Sequence, residues 1–132
     1  MKGENKRMTM TLCEISKLLQ KSQNVVAAGI KQGLFPFVVA DNVDGKKAKY
    51  IYFPGKLEEY VTGTTQEYDL NPKAVAEMLG CSHIALLTFL RLGRLPFGVA
   101  FKTSPENKQY SYVIFPAKLE EYLIARKKRL AA

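Results

Sequence analysis

The residues able to do chemistry in this chain are amides and ammonium groups at helical spacing. Behind Ser22 stand Gln23, Asn24, Ala27, Lys31 and Gln32, on the side of a helix opposite Val26 and Ile30. Asn and Gln carry a donor and an acceptor side by side, the pattern that pairs with the major-groove edge of adenine, and Lys donates to guanine. Each good contact discriminates between bases by ~1–3 kcal/mol. Small side chains at Ala27 and Ala28 allow close approach to a groove floor or a thymine methyl. Downstream, Lys46, Lys47 and Lys49 follow an Asp44-Gly45 turn and suit phosphate contact. This is chemistry of recognition. The one histidine, His83, has no paired acid or nucleophile motif around it, and no enzyme is expected.

Charge and composition point the same way. The chain has 132 residues with 20 Lys plus Arg against 12 Asp plus Glu, a net charge of +8, which favours polyanionic partners. Hydrophobic residues make up 47% and charged residues 24%, the balance of a chain that builds a core. The two cysteines, Cys13 and Cys81, and one histidine cannot supply a zinc site built from four cysteines, or from two cysteines and two histidines. No metal, no cofactor and no disulfide framework are expected. No apolar run approaches the ~18–20 residues of a spanning helix, and the charged start leads into no signal-peptide core. The expected setting is cytoplasmic: a bacterial cytoplasm or a phage-infected cell, at the nucleoid, with no membrane partner.

The elements that must position these groups occur twice. With a shift of 60 residues, Met10–Ala40 falls on Leu70–Ala100, and with a shift of 62, Tyr50–Tyr60 falls on Tyr112–Tyr122. Of these 42 aligned positions 15 are identical, among them Ser22/Ser82, Gly33/Gly93 and Pro36-Phe37/Pro96-Phe97. The densest block is Phe53-Pro54-x-Lys56-Leu57-Glu58-Glu59-Tyr60, repeated from Phe115 to Tyr122, too long a match for chance. Thr62–Gln66 between the copies is polar and reads as a linker. Each half holds ten basic and six acidic residues, +4 apiece. The predicted modules are 1–63 and 67–132.

Within a module the signals run helix, turn, helix, hairpin, helix. Thr11 and Glu14 have capping-box spacing, and Asn71-Pro72 opens the matching helix in the second copy. Ser22 and Ser82 are N-caps of a second helix, which Gly33 and Gly93 end in the left-handed region. Val38–Ala40 with Tyr50–Phe53, and Val99–Phe101 with Tyr110–Phe115, predict β-hairpins across polar loops. Pro54 and Pro116 then start a third helix, with Leu57, Tyr60 and Val61, or Leu119, Tyr122 and Leu123, turned inward. The aromatics Phe37, Tyr50, Phe53 and their counterparts are expected in the core. Glu58-Glu59 and Glu120-Glu121 are expected on a solvated face. A helix pair joined by a tight turn is a groove-reading unit, and a basic hairpin beside it is a wing for the adjacent backbone.

This order, Ser-x3-apolar-x3-apolar-x2-Gly-x-apolar-Pro, a hairpin, then Phe-Pro-x-Lys-Leu-Glu-Glu-Tyr, resembles the winged helix-turn-helix of phage excisionases and MerR-type regulators. The resemblance covers 10–61 and 69–124. It implies sequence-specific binding of double-stranded DNA, for transcriptional control or for bending DNA in site-specific recombination. Two features depart from it. Most excisionases hold one such module, and MerR regulators add a long dimerisation helix and an effector domain not visible here. Metal sensing does not carry over, because no cysteine cluster exists.

The second copy offers a different outward set: His83, Ile84, Leu87, Thr88, Arg91 and Leu92. His83, Thr88 and Arg91, with Arg94, Lys102 and Lys108, are candidates for DNA contact. Ile84, Leu87 and Leu92 suit a protein interface, so this copy either reads DNA or has become a packing module. The run Arg126-Lys127-Lys128-Arg129 is either a phosphate-binding extension or a solvated end. The expected fold is α+β, two tandem winged helix-turn-helix modules packed with pseudo-symmetry. The expected function is that of a small sequence-specific DNA-binding regulator of phage or mobile-element type. A recombinase or another copy of the chain would be a further partner. The rival expectation is a protein-interaction module that grips a recombinase, polymerase or repressor through the apolar face of the second copy.

Overall fold

The structure, a computed structural model, describes residues 11–41 and 49–131. It is a mixed α+β fold in which one element order occurs twice. The first copy runs α1 (Leu12–Leu19), α2 (Gln23–Lys31), β1 (Val38–Asp41), β2 (Lys49–Tyr52) and α3 (Pro54–Leu57), which continues as a π-helical turn, Glu58–Thr62. The second runs α4 (Pro72–Leu79), α5 (His83–Arg91), β3 (Gly98–Phe101), β4 (Ser111–Ile114) and α6 (Pro116–Ala131).

Local chemistry explains the helix ends. At α1, the Glu14 amide donates to Thr11 Oγ1 (3.1 Å) while the Thr11 amide donates to Glu14 Oε1 (2.9 Å), a closed capping box. Ser22 and Ser82 accept from the amides of Val25 and Ala85 at 3.3 and 3.1 Å, and so set the starts of α2 and α5. Gly33 and Gly93 end those helices at φ +71° and +70°. The first helix of each pair also ends in the left-handed region, at Gly80 (φ +73°) but at Gln20 (φ +59°) in the first copy. A side chain there costs about 1–2 kcal/mol of backbone strain. Gln20 offsets it by spanning the linker: its Nε2 donates to the Tyr68 carbonyl (2.8 Å) and its Oε1 accepts from the Leu70 amide (2.9 Å). Glycine could make neither bond.

Each hairpin is a two-stranded antiparallel sheet, with Val39 opposite Ile51 in one and Val99 opposite Val113 in the other. β4 begins at Ser111, one residue after the predicted start, which leaves Tyr110 in the loop. The third helices differ. Pro116 leads into sixteen residues of regular α-helix that carry Arg126–Arg129 within them, so the basic run is helical and not a loose end. In the first copy the helix widens, and the Gly63 amide closes the turn on the Glu58 carbonyl at 2.9 Å. A Cβ at Gly63 would stand 2.5 Å from that oxygen, so only glycine fits.

The buried side chains form two clusters, and the first crosses the boundary between copies. Ile15, Leu19, Val26, Ile30, Phe37 and Tyr52 of the first copy pack with Phe101, Val113 and Phe115 of the second. Phe115 meets Phe35, Phe37 and Tyr60 edge-on, with centroids 5.4–5.8 Å apart. Around this contact, Lys118 Nζ lies 2.9 Å from Glu59 and 4.8 Å from the Tyr60 ring centre. The Gln32 amide donates to the Lys102 carbonyl at 2.7 Å.

The element order therefore repeats between the copies, while the contact between them is not symmetric. A two-fold arrangement would repeat each of these contacts with the copies exchanged. Instead Phe53, the counterpart of Phe115, is 42% exposed where Phe115 is 2% exposed, and Ile51 is 41% exposed where Val113 is fully buried. The placement of Phe53 in the core is corrected accordingly. Glu120 is a second correction: it is buried rather than solvated. Its carboxylate accepts from the Thr65 amide (2.8 Å), the Thr65 hydroxyl (2.9 Å) and the Tyr68 hydroxyl (3.2 Å), which anchors the linker to α6. Those hydrogen bonds hold the Glu120 carboxyl below its ordinary value despite its desolvation.

Candidate nucleic-acid interface

α2 buries Val26 and Ile30 and turns Gln23, Asn24 and Lys31 to the exterior, with Ala27 half-buried between them. The helix is held by its Ser22 cap and by α1 packed behind it, so the outward groups stand on a fixed frame. Gln23 and Asn24 are exposed, and among the described residues no hydrogen bond uses their side chains. Gln32 is exposed as well, and its amide nitrogen donates to the Lys102 carbonyl across the seam between copies. Lys46 and Lys47 lie outside the described residues. Lys49 pairs with Asp41 in the β1–β2 ladder, and its side chain is likewise outside them. Lys21, in the turn before α2, is half-buried and its ammonium is pulled below the usual lysine range by that burial.

In the second copy α4 and α5 turn by 105° across the break between them. His83 is exposed at the first position of α5, and beside it Ile84 is 75% exposed. Leu87 is half-buried, and the Thr88 hydroxyl turns back onto the Ile84 carbonyl (2.9 Å). Arg91 joins helix to hairpin: one guanidinium nitrogen donates to the Tyr112 hydroxyl at 3.1 Å, and the group sits 5.7 Å from the Tyr110 ring centre. Lys102 reaches the same ring, with its Nζ 5.2 Å from the centroid. Arg94 and Lys108 are exposed.

Arg91, Lys102, Tyr110 and Tyr112 thus form one cluster, two cations held on an exposed aromatic ring. Such a group fixes positive charge at the helix–hairpin junction, and the guanidinium keeps donors beyond those it uses within the protein. Sequence reading found the two cations and missed the two tyrosines. The available signal was the pair Tyr110/Tyr112, two apart where the loop enters the second hairpin strand, close behind Lys108.

Among the described residues no group of three or more His, Cys, Asp or Glu side chains is placed to hold a metal ion, and no single helix is long and apolar enough to cross a membrane. No protein-family model, curated protein or solved structure matches the chain.

Proposed function

We propose that this chain is a sequence-specific double-stranded DNA-binding protein, a small regulator of phage or mobile-element type acting in transcriptional control or in the directionality of recombination. In this reading each copy is a winged helix-turn-helix module. α2 enters the major groove, and the hairpin loops and the Arg91–Lys102–Tyr110 cluster hold flanking phosphates. The observation that carries it is the outward face of α2, where Gln23, Asn24 and Lys31 lie exposed on a capped helix of a chain with net charge +8. The 105° turn between α4 and α5 supports it, since helix-turn-helix pairs meet at roughly 90–120°.

A second reading is favoured by the exposure of Ile84 and Leu92 on α5: a protein-interaction module that grips a recombinase, polymerase or repressor. Gel-shift titration against random duplex fragments at two salt concentrations separates the two. Groove binding gives an affinity that falls steeply with salt and enriches a common site. An affinity for DNA that is absent, or that is insensitive to salt, contradicts it and leaves the interaction module.

A further inference from the structure

The contact between the two copies is head-to-tail, and its unused halves are intact at the two ends of the molecule. Within the chain, one hairpin face and helix start of the second copy (Val113, Phe115, Lys118) dock on a surface of the first copy made by Gly29, Phe35, Glu59 and Tyr60. The first copy has the same docking face, and nothing among the described residues covers it: Val39, Ile51 and Phe53 are each more than 40% exposed, and Lys56 is exposed beside them. The second copy has a counterpart of the receiving surface, altered at two of its four positions. Glu121 and Tyr122 stand where the first copy has Glu59 and Tyr60, and exposed Phe89 and Leu92 stand where it has Gly29 and Gln32.

A contact between two different surfaces does not satisfy itself, so its repetition joins further copies end to end. Arrays of stacked repeats normally end in polar caps; here, among the described residues, each end presents exposed apolar side chains. We infer that a second copy of this chain docks its Phe53 face onto the Phe89–Tyr122 surface of the first, in the same sense as the internal contact. Two pairs of the internal contact keep their residue types, while Leu95 stands where the first copy has Phe35. Phe53 would meet Tyr122 as Phe115 meets Tyr60, and Lys56 would reach Glu121 as Lys118 reaches Glu59. The bulk is redistributed at one point. Inside the chain Phe101 lies against Gly29, where an added Cβ would stand 3.0 Å from the Phe101 ring and 2.6 Å from that of Phe35. Between chains the large residue is on the receiving side, Phe89, and the docking strand carries Asp41 in place of Phe101. This inference does not depend on DNA binding.

The test is the mass by sedimentation velocity over a concentration series of the full chain, free of nucleic acid, for wild type, Phe53→Arg and Phe89→Arg. The altered side chains are exposed, and unchanged thermal melts establish folding; Ile51→Arg and Leu92→Arg serve as second variants of each face. Wild type is expected to grow in steps of one chain with rising concentration. Each variant alone is expected to self-associate at least about tenfold more weakly, because a buried aromatic anchor is lost. An equimolar mixture of the two variants is expected to form a one-to-one pair that grows no further, since one intact docking face meets one intact receiving surface. A wild type that stays monomeric throughout, or either variant alone still dimerising like wild type, overturns the inference.

Discussion

The second helices of the two copies, α2 and α5, share a frame and differ in what they show. Both have nine residues, a serine cap, an inward pair (Val26/Ile30 or Leu86/Leu90) and a left-handed glycine after the end. Outward, α2 presents Gln23, Asn24 and Lys31, whereas α5 presents His83, Ile84 and Leu92, with Arg91 bonded to the hairpin. The hairpins differ in the reverse way. Residues of the same type, Phe53 and Phe115, have opposite environments, because among the described residues the second hairpin finds a partner surface and the first does not. The duplication preserves what each unit needs to fold and leaves the outward faces free to diverge.

The sharpest way to break that comparison is at the two phenylalanines. Phe115→Ala removes a ring shared by both copies and is expected to cost about 3–5 kcal/mol of unfolding free energy. Phe53→Ala, measured on dilute protein by chemical denaturation, is expected to cost less than about 1 kcal/mol. Equal losses would mean that the hairpins are packed alike.

A smaller effect is expected at Gly29, whose added Cβ meets the Phe35 and Phe101 rings. Gly29→Ala should destabilise by about 1–3 kcal/mol through overpacking of the seam, read from the same denaturation curves. Phe89→Ala, at the counterpart position, should change monomer stability little.

The third contrast lies between Glu120 and its counterpart Glu58, which is exposed. Because the folded Glu120 carboxyl titrates below its ordinary value of 4.5, it stabilises the fold above that value, and the contribution is lost as pH falls through the lowered one. Glu120→Gln should therefore flatten the loss of thermal stability on acidification, read from melts over a pH series.

Smallest is the effect at Tyr52, whose buried hydroxyl has no hydrogen-bond partner among the described residues and whose ionisation burial pushes up to about 12. Tyr52→Phe should be neutral or stabilising by up to about 1 kcal/mol, since it removes an unsatisfied polar group. The melt of the single variant reads it.

Much of each unit was legible beforehand because it rests on local chemistry. Thr11–Glu14, Ser22, Ser82, Gly33 and Gly93 act within a few residues of themselves, so their types and spacing were enough to place helix ends. The pairing of the hairpins followed from two short apolar runs on either side of a polar loop. The contact between copies was not legible, because it relates two surfaces that are not equivalent: nothing local to Phe53 or Phe115 says which will be covered. Glu120 was misplaced for the same reason, since its partner lies 55 residues away, and the bond of Gln32 across 70 residues was equally unreadable. On the candidate interface, sequence placed Gln23, Asn24 and Lys31 on the outward face of α2, and it overlooked Tyr110 and Tyr112, whose role depends on Arg91 reaching across from the helix.

The most direct test of base reading by α2 is the ratio of affinities for an enriched duplex site and a scrambled duplex, at one salt concentration, for wild type, Gln23→Ala and Asn24→Ala. The account predicts a wild-type ratio well above one that each variant narrows by about fivefold or more, the equivalent of ~1–3 kcal/mol per lost base contact, with scrambled-duplex affinity unchanged. A ratio of one in the wild type, or a ratio that survives both substitutions, would contradict it.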